Sequence, residues 1–268
     1  MSGKSEHGTD TAMDAFGKEG LNDRIDPTLL QGALEITEDE LEWRKDFINF
    51  SEADAGRLAK LEPVFQGNRE EIAQAFYDNL QRYEETLEII GRSDRTVEQL
   101  KETQRAYLLS LAHGTYDEAY FVDRARIGMI HYMLGMPMKH YLGQYGVYYE
   151  LLVSVLSERI QEDVLEATEE WATSELETGG GLFGSLTGSS RAGFDELPEE
   201  LTETLSEAIA DGMADVLAVL RIMNLDMQMA TDAYNYANKR RDVTPGDEER
   251  RADGLADEIS EILASGRN

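Results

Sequence analysis

Residues 124–152 read RARIGMIHYMLGMPMKHYLGQYGVYYELL. Ile127, Ile130 and Leu134 recur at helical spacing, and His131 falls on or beside the face they define. Pro137 breaks the run and starts a second helix, since its missing N–H is harmless in a first turn. Gly128 and Gly135 stand three residues before and four after His131, on its side of the helix. Each glycine costs about 0.5–1 kcal/mol relative to alanine inside a helix. That pattern suits a flat, bulky group lying against the face and held by the imidazole. It equally suits a hydrogen-bonded core histidine with glycines that let another helix approach closely, and the spacing leaves both open.

The same period runs through most of the chain. Thr37 and Glu40 have the spacing of a capping box, with Leu41, Trp43 and Ile48 as core candidates after it. Helices are expected over about 52–66 and 69–85, the latter with Ile72, Phe76 and Leu80 on one face. Gly91–Thr96 (GRSDRT) breaks the chain, and Thr96 with Gln99 opens a helix that His113-Gly114 closes. Further helices are expected over about 117–135, from Pro137 to about 175, and from Pro198 to about Arg241. Alternating β-branched runs and Asn-Gly hairpin turns are missing, so the class is all-α.

Three segments break this regularity. Residues 1–30 read as a flexible tail, and 178–195 (TGGGLFGSLTGSSRAGFD) as a flexible Gly- and Ser-rich insertion. Pro245-Gly246 divides residues 242–268 into a linker and a short helix over 247–264. Residues 31–241 are left as the main domain.

Composition removes many functions. The chain has 268 residues, 54 acidic and 25 basic, for a formal net charge of −29. Such a surface repels nucleic acid and anionic membranes. The acids are spread evenly, as on a salt-adapted surface, and form no calcium-loop pattern. Without cysteine there is no disulfide, thiolate nucleophile or iron–sulfur cluster. The N-terminus lacks a signal-peptide core and no apolar run is long enough to span a bilayer, so a cytoplasmic protein is expected. No G-x-S-x-G, H-E-x-x-H or P-loop is present, and no G-x-G-x-x-G follows a strand.

AFYDNL (75–80), TVEQLKETQRAYLLSLAHGTYDEAYFVDRARIGMIHYMLGMPMKHYLGQY (96–145) and VLAVLRIMNLDMQMATDAYNY (216–236) together resemble the sensor domain of globin-coupled sensors. The likeness is greatest to the haem-based aerotaxis transducers of haloarchaea, and a halophilic source would suit the acidic surface. It covers about Thr37–Glu175 and resumes at about Val216–Tyr236. The resemblance implies a globin fold, haem b (iron protoporphyrin) as cofactor, and O2 or another diatomic gas as ligand. It implies that His131 is the proximal iron ligand. Tyr77 and Thr103 match the B-helix tyrosine and E-helix threonine that reach O2 in relatives, and Leu100 would wall the same side. Tyr141 matches a proximal-side tyrosine able to respond to movement of the histidine. Ordinary packing would account for Tyr77 and Tyr141, and a bond to its own helix backbone for Thr103.

The family pairs through its last two long helices, which implies a homodimer through residues 140–175 and 205–240 and a signalling partner downstream. The insertion near 178–195 departs from the family's tighter connection. The methyl-accepting coiled coil of a transducer has no counterpart before residue 268. A freestanding sensor and the sensor part of a longer transducer both remain open, with the last helix a candidate contact. Two rivals stand beside a non-enzymatic sensor. One is a globin redox enzyme such as a nitric oxide dioxygenase or pseudo-peroxidase, and the other a haem-free helical interaction module.

Overall fold

A computed structural model describes Leu21 and residues 24–177 and 198–241. Most of the 1–30 tail, the 178–195 insertion and the 242–268 segment lie outside the described residues. Among the described residues every regular element is helical: α1 Pro27–Ala33, α2 Glu38–Phe47, α3 Glu52–Lys60, α4 Glu62–Leu80, α5 Glu84–Ile90, α6 Val97–Leu111, α7 Glu118–Met133, α8 Met138–Glu177 and α9 Glu199–Arg241. None of them is long and apolar enough to cross a membrane.

Local chemistry accounts for most helix ends. Thr96 and Gln99 form the expected capping box on α6. At α2 the box is half made: Thr37 accepts from the Glu40 amide, while the Glu40 carboxylate pairs with Arg44 instead. The expected 52–66 helix stops at Lys60, where Leu61 joins α3 to α4 and Pro63 starts the new helix without an amide to satisfy. Sequence periodicity missed α1, which begins inside the expected tail. Asp26 caps it through the amides of Thr28 and Leu29, and it is anchored by Ile25 and Leu30, which are fully buried. Trp43 is not core. It is 58% exposed and stacks on Phe47.

The chain divides into two compact units, Met1–Leu151 with Ala218–Asn268, and Leu152–Leu217. In the first, α4 packs along α6 and α1 lies on α7. Its interior is built from Leu58, Leu61, Phe65, Leu108, Phe121 and Ile222. In the second, Leu152, Leu156 and Leu201 are buried, and Gly212 admits Ile160 so closely that a Cβ there would lie 2.3 Å from its Cγ1.

The two glycines around His131 turn out to serve the backbone. A Cβ on Gly128 would stand 2.7 Å from the Cα of Ala230, so this glycine lets α7 and α9 touch. Gly135 lies beyond the end of α7 with φ +69°. Its amide donates to the Tyr132 carbonyl, and the Met136 amide to that of His131, which is a Schellman closure. Contrary to the expectation from their spacing, neither glycine makes room for a flat group: a Cβ on Gly128 would meet Ala230 and one on Gly135 would meet Arg92.

Candidate functional site

Helices α4, α6, α7 and α8 enclose a cavity of about 130 Å³ within the first unit. All five residues singled out from sequence, His131, Tyr77, Thr103, Leu100 and Tyr141, line it, brought together from the four helices.

His131 sits in the last turn of α7 and is half-buried. Its Nδ1 is 2.8 Å from the Ile127 carbonyl oxygen. A carbonyl can only accept, so Nδ1 carries the proton and Nε2 keeps the lone pair. Burial pulls the imidazole pKa below its ordinary value, and the Ile127 bond opposes this only in part. The side chain is therefore a neutral imidazole with one nitrogen free to ligate. The Tyr141 ring meets it edge-on with centroids 5.1 Å apart. Burial pushes the Tyr141 phenol up to about 12, so it stays protonated. Tyr141 also contacts Tyr145 and, on α9, Tyr234.

Tyr77, also on the cavity wall, is 7% exposed on α4. Burial alone acts on its hydroxyl and holds the proton well above the usual tyrosine range. Thr103 is differently placed. Its hydroxyl donates to the Gln99 carbonyl at 3.1 Å and accepts from Arg95 at 3.0 Å. Its proton is engaged in its own helix, and Arg95, which also lines the cavity, is held by it.

Beside the cavity lies a charge cluster that sequence inspection missed. Asp226 on α9 accepts from Tyr107 Oη at 3.0 Å, Tyr120 Oη at 2.9 Å and Arg124 Nε at 3.2 Å. Arg124 also donates to Ser110 and lies over the Tyr107 and Tyr120 rings, 4.9 and 4.2 Å from their centroids. Burial would pull the guanidinium pKa down, but the Asp226 carboxylate holds it above its usual range. The only signal in the sequence was an ionic residue on each of two otherwise apolar helix faces. No group of side chains among the described residues is arranged to hold a metal ion by several ligands at once.

The described residues are all helical and bring a neutral, backbone-oriented histidine to a cavity wall, an arrangement that a globin could use. This chain belongs to the protoglobin family, whose pattern matches residues 37–172, just over half of its length. It is 32% identical over 258 residues to the heme-based aerotactic transducer HemAT of Halobacterium salinarum, a match covering 96% of this chain and 44% of the transducer. The chain thus spans less than half the length of that relative. In structure it is similar to the globin domain of a Geobacter sulfurreducens globin-coupled sensor. The TM-score is 0.50 at 20% identity, over 72% of this chain and 96% of that one. At that identity the likeness speaks for the globin fold alone.

Proposed function

We propose that the protein is a haem-binding sensor of a diatomic gas, with O2 the foremost candidate, that relays ligation to a signalling output of the aerotaxis type. One observation carries this reading: in a protoglobin chain, the cavity is lined by a neutral histidine whose Nδ1 is tied to Ile127 and whose Nε2 is free. The cavity suits the group in other respects. Its walls are mostly apolar, and a buried hydroxyl on it, that of Tyr148, meets no partner among the described residues. Haem bound there would supply an iron atom with one open position for the gas. The likeness to the globin-coupled sensors favours haem b, and the chain has no cysteine for a thioether link.

The residues then divide the work. His131 Nε2 would hold the iron, and its Nδ1–H bond to Ile127 keeps the ring from turning. Tyr77 would donate its hydroxyl proton to the gas, and Leu100 would wall the same side. Thr103 would position Arg95 rather than touch the gas. Tyr141 packs on His131 and on Tyr234, so displacement of the imidazole would reach α9. The gas can shift the balance of helix packings only by its difference in affinity between them.

The output would be a separate partner or a further domain. A homodimer through residues 140–175 and 205–240 is supported by Val153, Leu165, Ile209, Met213 and Leu217, all exposed in the second unit. The reading places the sensor in a reducing cytoplasm, where a cysteine-free chain is at home. Its acid surplus agrees with a salt-adapted source. The names of the relatives are those of a transducer and a sensor, not of an enzyme.

The direct test is the absorption spectrum of the purified chain, reduced, with and without O2 and CO. A Soret band that responds to both gases is expected, and His131→Ala should abolish it or change its form. A parent chain that takes up no haem, or a His131→Ala spectrum identical to the parent's, refutes the assignment.

A further inference from the structure

Helix α8 carries tyrosines at 141, 145 and 148, a spacing that puts all three on one face, and all three line the cavity. Tyr141 is the member that meets His131. Tyr148 lies two turns on, roughly 10 Å further along the helix. Its ring packs against Phe76 of α4, centroids 4.7 Å apart, and against Tyr107 of α6 at 5.6 Å. Phe76 is the chain neighbour of Tyr77 and touches its ring at 5.5 Å. Tyr148 therefore stands on the wall that holds Tyr77, away from the histidine.

The hydroxyls on this part of the wall have different fates. That of Tyr107 is taken by Asp226 and that of Thr103 by Gln99. Tyr148 is 3% exposed, and its hydroxyl meets no hydrogen-bond partner among the described residues. Buried polar groups are almost always paired, and phenylalanine would fill the same aromatic slot without the orphaned group. The hydroxyl gains a partner only if something polar enters the cavity. Burial keeps the phenol protonated, so what it offers is a donor.

We infer that Tyr148 is a second hydroxyl donor to a diatomic gas in this cavity, alongside Tyr77, and that it helps set which gas the protein holds. A donor favours the ligand that gathers negative charge when bound, O2, over CO, which gathers little. The inference rests on the haem reading of the cavity.

The test compares the full chain with Tyr148→Phe, both loaded with haem, in three measurements. The C–O stretching frequency of the CO-loaded protein should rise in the variant as a donor is lost. Release of O2 should quicken by roughly 2- to 10-fold, the worth of one hydrogen bond, with CO release changed by less than about 2-fold. Thermal stability of the haem-free chain should stay level or rise, since no native bond is removed. An unmoved C–O stretch with unchanged O2 release, in a protein with its Soret band intact, overturns the role of Tyr148 and leaves the haem reading standing. A haem-free variant that is less stable or unfolded shows that the hydroxyl has a structural partner, and overturns it as well. A parent chain that takes up no haem overturns both.

Discussion

Replacing Asp226 by asparagine isolates one charge at the centre of the first unit. The side chain keeps its shape and an oxygen for one of the two tyrosines, which donate to different carboxylate oxygens, but Arg124 loses its counter-ion. Arg124 is 2% exposed and Asp226 1%, so water cannot take over. Two unit charges about 4 Å apart interact by about 4 kcal/mol at an effective dielectric constant of about 20. Removing one partner of a buried pair costs roughly 3–5 kcal/mol by experience, which agrees. For a domain of this size each kcal/mol lowers the melting midpoint by about 2–4 °C, so Asp226→Asn should lose roughly 6–20 °C. Circular dichroism melting curves measure this directly. Added salt should not diminish the loss, because buried charges are poorly screened. The double variant Arg124→Leu with Asp226→Leu should be more stable than Asp226→Asn, since no lone charge stays buried. A midpoint drop of under about 2 °C, or a double variant worse than the single, would refute the argument.

Gly128→Ala should destabilise the protein although it improves helix propensity. The new methyl would meet the Ala230 backbone, which cannot swing aside, so overpacking of about 1–3 kcal/mol outweighs a propensity gain of about 0.5–1 kcal/mol. A raised melting midpoint would contradict the α7–α9 contact. Asp54→Asn should weaken the protein at neutral pH by about 0.5–2 kcal/mol, as capping losses do, and flatten its acid limb. Burial raises the Asp54 carboxyl, but the Ser51 amide, the Ser51 hydroxyl and Arg221 together bring it below the usual value. Its stabilisation is therefore complete above the unfolded pKa of about 3.9 and lost as pH falls through the lower folded value. Urea titrations from pH 7 to pH 3 compare the slopes, and parallel parent and variant curves would count against the pairing.

Period and caps in the sequence were enough to locate α6, α7 and α8 to within a few residues, because apolar spacing and Thr96 or Pro137 act locally. They were also enough to put His131 on an apolar face. The family likeness singled out Tyr77, Leu100, Thr103 and Tyr141, and the fold places all four around one cavity with the histidine. Two local signals misled. Trp43 looked like core because hydrophobicity does not tell which face finds a neighbour, and the short α1 was hidden inside a polar segment.

What the sequence by itself determined is the helical class, the acid-rich and cysteine-free chemistry, and the presence of a lone imidazole in an apolar helix. Only the tertiary structure decided what surrounds that imidazole. It showed that Gly128 answers Ala230 and that Arg124 is neutralised by Asp226, 102 residues away. It also showed that the Tyr148 hydroxyl meets no partner among the described residues while that of Thr103 does. The reason is physical: helical period is a property of neighbours along the chain, whereas a hydrogen-bond partner, a counter-ion or a cavity wall is supplied by helices distant in sequence.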